Sequence, residues 1–501
     1  MILRGEFEGD FIIHLVKGCF YAISRPHPFI DPNLGVLYNK SNKHFHLLEK
    51  TGGKVMPRVN RKLILVLIIL TVSLTLTACS KKDQLSAKKP ITLTLWHVFG
   101  SQTDSPMNVM IDEFNDGIGK ENGVIINVTS ISNSSDIHDA LLASSKGHAG
   151  AGELPDMFFC YPETAKTIGS EQLTIWSELF TPEELKKYVP EFLAEGTVDG
   201  NLLVFPVAKS SEALFVNSTI FDRFASDTGT SYEELRTWEG ILNAARKYYE
   251  WSGGKTMVMH DELLNYCQIN TTALGGQPFQ NGELNFADPI FQHQWNKVAE
   301  AAISGHLRVE DNYSTVCMMT GDIIVGIGST ASILYFHDTV TFPDNSTEPL
   351  NLYALPCPVT QDGRKIAMQQ GTGLAASIKN NPKKEAAALL FAKWITEGET
   401  NLRLVTQSGY MPVQETAFNA IEDFSFNNES YRSLYEAMNI MHSEYEFYLP
   451  PIIDGYYEVL WKFYDNSIEI ITTQRQQYLD KEEELAALVS TSFTKMREAM
   501  Q

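Results

Sequence analysis

The sequence predicts an α/β protein. Three observations carry this: period-two and helical apolar patterns alternate along the chain after residue 90, several helix starts are marked by explicit caps, and the composition can fill large cores. Ile91 to Trp96 (ITLTLW) alternates large apolar residues with Thr and reads as a strand. Pro106 to Phe114 reads as a helix, with Pro in the first turn and Met107, Met110, Ile111 and Phe114 at helical spacing. Val124 to Val128 is a second strand, and Asp136 to Ser144 a helix with Ile137, Leu141 and Leu142 on one side. Met157 to Phe159 is a short buried strand, which completes a βαβαβ alternation.

Further along, Thr181-Pro182-Glu183-Glu184 combines a cap, a Pro at the first helical position and a Glu three residues after the cap. Thr237 precedes a helix whose apolar face is Trp238, Ile241, Leu242, Ala245 and Tyr249. Asn381-Pro382 opens another helix, and everything after Phe424 reads as helical. No internal repeat, low-complexity tract or Pro- or Gly-rich linker marks a domain boundary.

The 501 residues carry 40 Lys+Arg against 61 Asp+Glu, a formal charge of −21, which argues against nonspecific nucleic-acid binding. With 44% hydrophobic and 11% aromatic residues the chain is not predominantly disordered. Six scattered Cys give neither a disulfide framework nor a CxxC metal site, and Cys160, Cys267, Cys317 and Cys357 are read as isolated buried thiols, although they could pair.

One stretch departs from this composition. Leu63 to Ser80 has no charged residue and follows Arg58, Arg61 and Lys62, the order of a secretory signal; a single membrane anchor is the alternative. Leu76-Thr77-Ala78-Cys79 resembles the lipobox of bacterial lipoproteins, which implies lipidation of Cys79 and cleavage before it. Residues 56–78 are then the signal and 79–89 a tether. Met56 is itself a plausible start, so residues 1–55 are expected to come from a mis-called upstream start or to be removed with the signal. Ten of the basic and five of the acidic residues lie before Cys79, leaving 30 against 56, or −26 over 423 residues.

Catalytic patterns are absent: there is no G-x-S-x-G elbow, HExxH pair or P-loop, and the 12 His lack metal-ligand spacing. Gly326-Ile-Gly-Ser-Thr-Ala331 matches a G-x-G-x-x-A dinucleotide fingerprint after an apolar strand, Ile323 to Val325. The segment beyond it, SILYFHDTVTFPDNS, shows neither the helix nor the second strand that the fingerprint requires. Neither a cofactor nor a metal is expected.

Several segments in fixed order resemble the extracellular solute-binding proteins of family 1, the sugar-binding receptors of ABC importers. They are ITLTLWHVFG, LPDMFFCYPETAKTIGS, VDGNLLVFPVAKSSEALFVNSTIFDRF, TWEGILNAARKY, GDIIVGIGSTASI and QQGTGLAASIKNNPKKEAAALLFAKWITEGETNLRLVTQSGYMPV. The resemblance implies a two-lobed periplasmic-binding-protein-like fold, each lobe a sheet flanked by helices, with multiple chain crossovers at a hinge and a helical C-terminal region. Residues 90–210 and 370–420 would form the first lobe, 215–365 and 425–501 the second. It further implies a lipid-anchored extracytoplasmic receptor, a monomer, that delivers a solute to ABC permease subunits.

Carried over by position, the resemblance implies ligand contacts from Trp96, His97, Tyr161, Glu163, Ser211, Glu212, Asn265, Tyr266, Ser329, Thr330, Gly371 and Tyr410. Carboxylates and amides suit sugar hydroxyls, and aromatic rings suit the C–H faces of a sugar. Each has a structural counterpart reading: Trp96 as core, or Glu212 paired with Lys209 or Arg223. Where many relatives have a stacking Trp, this chain has Ser329, Thr330 and Ser332, which points to a smaller or more polar ligand. A phosphate ester such as glycerol 3-phosphate, held with Lys209, is the alternative solute. A surface glycoside hydrolase using Glu163 and Glu212, or a sensor subunit without transport, are the remaining alternatives.

Overall fold

The computed structural model describes residues 85–99, 105–131 and 134–501, all within one compact unit, Leu74–Gln501. The expected extension, the signal, Cys79 and the first part of the tether lie outside the described residues.

The first lobe begins as the alternation predicts: β1 (Ile91–His97), α1 (Pro106–Asp116), β2 (Val124–Ser130), α2 (Ser134–Ser145), β3 (Met157–Cys160) and α3 (Pro162–Ile168). Strand β1 runs parallel to β2, Ile91 opposite Val124, and to β3, Leu95 opposite Met157. Its alternation puts Leu93, Leu95 and His97 on the buried face while Thr92 and Thr94 meet solvent. Helix α1 covers the sheet with Met107, Met110, Ile111 and Phe114, as its spacing predicts. Helix α4 (Pro182–Leu185) is a single turn held by the expected capping box: Thr181 Oγ1 accepts the Glu184 N–H at 3.3 Å, and the Glu184 carboxylate accepts the Thr181 N–H at 2.9 Å.

The chain then builds a second sheet. Its parts are β4 (Glu212–Asn217), α5 (Trp238–Trp251), β5 (Val258–His260), α6 (Leu263–Ala273), α7 (Pro289–Ser304), β6 (Leu307–Arg308), α8 (Ser314–Met319), β7 (Val325–Ser329) and β8 (Leu352–Pro356). The strand order is β6-β5-β7-β4-β8, with β4 antiparallel to both neighbours. Every residue of β4 is buried, and its two faces serve different cores. Leu214 and Val216 join the second-lobe core around Trp238 and Trp295. Ala213 and Phe215 join a core that extends to the first lobe.

Strand β9 (Ile366–Met368) returns the chain to β10 (Gly373–Ala376), which closes the first sheet antiparallel to β3 in the order β10-β3-β1-β2. Helix α9 (Pro382–Ile395) starts at Asn381, whose Oδ1 accepts the Lys384 N–H at 3.2 Å. After α10 (Glu429–Glu444), the short strand β11 (Glu446–Tyr448) pairs in parallel with β9, and α11 (Tyr456–Leu479) and α12 (Leu485–Ala499) pack on α7.

Four expectations are corrected. The stretch after Phe424 is not wholly helical, because β11 finds its partner in β9, far away in sequence. The face of α5 buries Tyr248 in place of Tyr249. The strand expected at Ile323 to Val325 lies at Val325–Ser329, and Thr339–Thr341 pairs with Thr347–Pro349 in a hairpin where no strand was legible. Gly326 and Gly328 therefore lie within a strand, not in a phosphate-binding turn. A Cβ on Gly328 would come within 2.0 Å of Asp261 Oδ2, and one on Gly326 within 2.8 Å of the Ser314 side chain. These glycines give room to neighbouring side chains.

Three passes of the chain are stitched together between the sheets. Ser210 and Gln370 exchange both backbone hydrogen bonds at 2.9 Å, Lys209 N–H donates to Met411 O at 3.2 Å, and Phe205 pairs with Leu374. Lys209 Nζ is paired with Glu195 at 2.6 Å, both buried, and donates to Gly371 O. Gly371 has φ +96°, and a Cβ there would press on the Ser210 and Ala208 backbone. No helix among the described residues is long and apolar enough to cross a membrane.

Candidate functional site

Open α/β sheets present ligand-contacting residues at the carboxyl ends of their strands. In the first lobe that edge carries His97 at the end of β1 and Tyr161 and Glu163 just beyond β3. In the second it carries Asp261 and Glu262 beyond β5, Ser329 at the end of β7, and Glu212, which opens the antiparallel β4 directly opposite Ser329.

His97 is fully buried. Its Nδ1 accepts the Phe99 N–H at 3.1 Å, so Nε2 carries the proton and donates to Asn108 Oδ1 at 2.9 Å. Burial lowers its pKa to about 4, against the opposing pull of Asn108, and the ring stays neutral. His97 thus spends both nitrogens on the loop after β1. Trp96, on the other face, is partly buried against the cluster around Phe158 and Ile137. The aromatic that His97 positions is Phe99, 5.0 Å from Phe159 and 5.2 Å from Tyr410 between ring centres. Val98, Phe99, Met107, Leu334, Tyr335 and Tyr410 line one cavity, fed by both lobes.

Tyr161 packs against Tyr457 at 5.4 Å. Glu163 is 6% exposed, and its Oε1 accepts the Tyr456 N–H at 3.0 Å, at the start of α11. That helix opens at Gly455 without a side-chain cap of its own, so a first-lobe carboxylate supplies one. Burial and then the nearby Glu458 raise the Glu163 pKa to about 7, opposed by the backbone N–H groups of residues 455 to 457. Its Oε2 has no hydrogen-bond partner.

Glu212 is 2% exposed. Oε1 accepts from Asn265 Nδ2 at 2.7 Å and lies 3.5 Å from Gln370 Nε2, while Oε2 has no hydrogen-bond partner. Burial raises its pKa to about 8; Asn265 opposes the shift and Asp261 adds to it. His260 Nε2 lies 3.6 Å from Oε2, but burial holds that imidazole down at about 3, so this contact is not an ion pair. Burial raises Asp261 to about 6 and lifts Glu262 well above the carboxylate range, the latter helped by Glu212 and Asp261. Neither Lys209 nor Arg223 reaches Glu212; Lys209 pairs with Glu195 and Arg223 with Glu348.

The other residues carried over by position divide sharply. Asn265 stands against Glu212. Tyr266 lies in the second-lobe core, edge-on to Trp238 at 4.5 Å with its hydroxyl on Gln294, and does not reach this edge. Ser211 and Thr330 are fully buried: Thr330 N–H donates to Ser211 O at 2.8 Å and Ser211 Oγ to Met368 O at 2.7 Å. They and Gly371 hold the crossover. Ser329 caps the turn Thr330–Tyr335 by accepting the Ala331 N–H at 3.3 Å. That turn presents Tyr335, 49% exposed, so the loop without Trp has an aromatic a few residues later.

Asp261, Glu262, Phe99, Tyr335 and Tyr457 were missed from the sequence. Asp261 and Glu262 directly follow an apolar strand, and the strand-end rule applied to Val258–His260 finds them. Among the described residues no group of three His, Cys, Asp or Glu is arranged to hold a metal ion. Cys160, Cys267, Cys317 and Cys357 are free and buried.

A two-lobed α/β architecture with polar groups at facing sheet edges is the arrangement of a solute-binding protein. The family profile described as bacterial extracellular solute-binding protein matches residues 109–427, and the chain belongs to that family. Its fold is similar to an ABC substrate-binding protein from Listeria monocytogenes in complex with cycloalternan, at 14% identity and TM-score 0.60, covering 82% of this chain and 99% of that one. It is also similar to the cyclic α-maltosyl-1,6-maltose binding protein from Arthrobacter globiformis, at 16% identity and TM-score 0.58, covering 82% and 99%. A Mycobacterium tuberculosis protein in complex with glycerophosphocholine is similar at 16% identity and TM-score 0.57, covering 82% of this chain and 98% of that one. No curated protein sequence matches the chain significantly.

Proposed function

We propose that the protein is an extracytoplasmic receptor that binds a sugar or sugar-like solute between its lobes and delivers it to an ABC permease, anchored by lipid on Cys79. In this reading the lobes are residues 90–210 with 370–420 and 215–365 with 425–501, and the stitched crossovers are the hinge. The observation that carries it is the pair of buried carboxyls, Glu163 and Glu212, each with one oxygen bonded and one unfilled. A buried polar atom without a partner is costly, and a ligand hydroxyl relieves that cost. Phe99, Tyr161, Tyr335 and Tyr410 add aromatic surface of the kind that packs on sugar C–H faces.

The anionic alternative relied on Lys209, whose charge is already taken by Glu195. Carboxyls at this edge also disfavour a phosphate ester. Differential scanning fluorimetry against mono- and oligosaccharides and glycerophosphodiesters tests the reading, since a solute bound only by the folded state raises the melting temperature. A shift with a carbohydrate is expected; no shift with any of them contradicts it. Release of reducing sugar by the protein, lost in Glu212→Gln, would replace the receptor reading with the hydrolase.

A further inference from the structure

The chain between β11 and α11 crosses the first-lobe edge at Tyr161 and Glu163. Pro450 and Pro451 restrict its backbone, and Gly455, at φ +77°, turns it into α11. One buried side chain fixes both ends of this strap to the second lobe. Tyr448 Oη donates to Gln268 Oε1 at 3.2 Å, and Gln268 Nε2 donates to Tyr456 Oη at 3.1 Å. Gln268 lies on α6, and α11 packs on α6 and α7.

Between those ends the strap lies on the first lobe. Ile452 packs against the apolar cluster around Phe158 and Ile137, and its carbonyl accepts from Lys166 Nζ at 3.2 Å. The same ammonium lies 3.3 Å from Asp454 Oδ1. Glu163 caps the Tyr456 N–H, and the Tyr457 ring stands 5.2 Å from His138 and 5.4 Å from Tyr161. Successive residues, about 100° apart around the helix, thus face opposite lobes: Tyr456 meets Gln268 and Tyr457 meets Tyr161. The strap stands over the end of β3. The Phe99 ring, 5.2 Å from Tyr410, stands beyond the end of β1, which pairs directly with β3. Paired strands lie about 5 Å apart, so the stretch of first-lobe edge between Tyr457 and Phe99 is short.

We propose that this strap is an end wall that limits the solute to one or two sugar rings, with Tyr457 setting the limit. This rests on the receptor reading and narrows its solute by size. A longer chain of rings passing Tyr161 would have to displace Tyr457 and break the Glu163 and Lys166 hydrogen bonds to the strap. A short solute meets no such cost and ends against the Tyr161 and Tyr457 rings.

The test is isothermal titration with three homologous series: glucose to maltotetraose, glucose to cellotetraose, and xylose to xylotetraose. In the wild type, affinity in any series that binds is expected to stop rising at the disaccharide. Tyr457→Ala takes the ring out of the wall, and the tri- and tetrasaccharide should then gain about three- to tenfold over the disaccharide, the worth of one further ring contact. Lys166→Ala, at a partly exposed site, releases the strap without opening a core. It should shift the length profile in the same direction with the melting temperature nearly unchanged. A tri- or tetrasaccharide binding the wild type about tenfold tighter than its disaccharide would overturn the inference and leave the receptor reading standing. The same length profile in the wild type and both variants would overturn the assignment to the strap. If no series binds, the inference falls, while the receptor reading is decided by the wider fluorimetry panel.

Discussion

Glu212→Gln tests the electrostatics of the second-lobe edge through stability alone. A Glu in the unfolded chain titrates near 4.5, whereas burial raises Glu212 to about 8 in the folded protein. Between these values the folded state keeps a proton that the unfolded state has lost, so stability falls as pH rises. The useful window starts at 6.5, because His97 and His260, lowered by burial to about 4 and about 3, contribute with the opposite sign below the ordinary imidazole value. Asp261 has passed its value of about 6 by then, Glu163, raised to about 7, contributes only to the first part, and Glu262, raised well above the carboxylate range, contributes in wild type and variant alike. At roughly 1.4 kcal/mol per pH unit, Glu212 removes about 2 kcal/mol between pH 6.5 and 8. Gln has nearly the same shape and no charge to bury. Urea unfolding of both proteins across this window should show the wild type losing about 2 kcal/mol relative to the variant. A difference that stays constant with pH, or grows in favour of the wild type, would refute the burial argument.

Three further outcomes follow from the same geometry. Lys209→Met leaves the buried Glu195 carboxylate without its cation, with only the Gln369 amide donating to it, and should cost about 3–5 kcal/mol in chemical denaturation, most of it restored by adding Glu195→Gln. Gly328→Ala forces Asp261 away from Ser314 and should lower stability by about 1–3 kcal/mol, read as a lower melting temperature. Tyr335→Ala, at a site 49% exposed, should leave the melting temperature nearly unchanged but weaken binding of the solute found by fluorimetry by about three- to tenfold, the worth of one aromatic contact.

Local signals in the sequence were legible where local physics decides. Thr181, Thr237 and Asn381 each cap the helix that their spacing announces, with side chains on the Glu184, Gly240 and Lys384 N–H groups. The ITLTLWH alternation marks β1, and the same alternation puts His97 on the inward face with Leu93 and Leu95, a consequence that reading by family position overlooked. Position alone also misplaced Tyr266: on α6 it follows Asn265 by one residue, about 100° around the helix, and so points into the core. What depended on distant partners stayed hidden. Strand β11 exists because β9 lies beside it, and Lys209 is neutralised by Glu195, a pairing that no local spacing announces. The two glycines of the apparent nucleotide fingerprint make sense only once Asp261 and Ser314 are seen against them.

The central claim is that a polar solute binds between the lobes, against Glu212 on one side and Phe99, Tyr161 and Tyr410 on the other. The most direct measurement is a crystal structure with the solute that gives the largest thermal shift. The account predicts electron density at that edge, with a ligand hydroxyl within hydrogen-bond distance of Glu212 Oε2. Density at any other surface, with Glu212 Oε2 still unfilled, would contradict it.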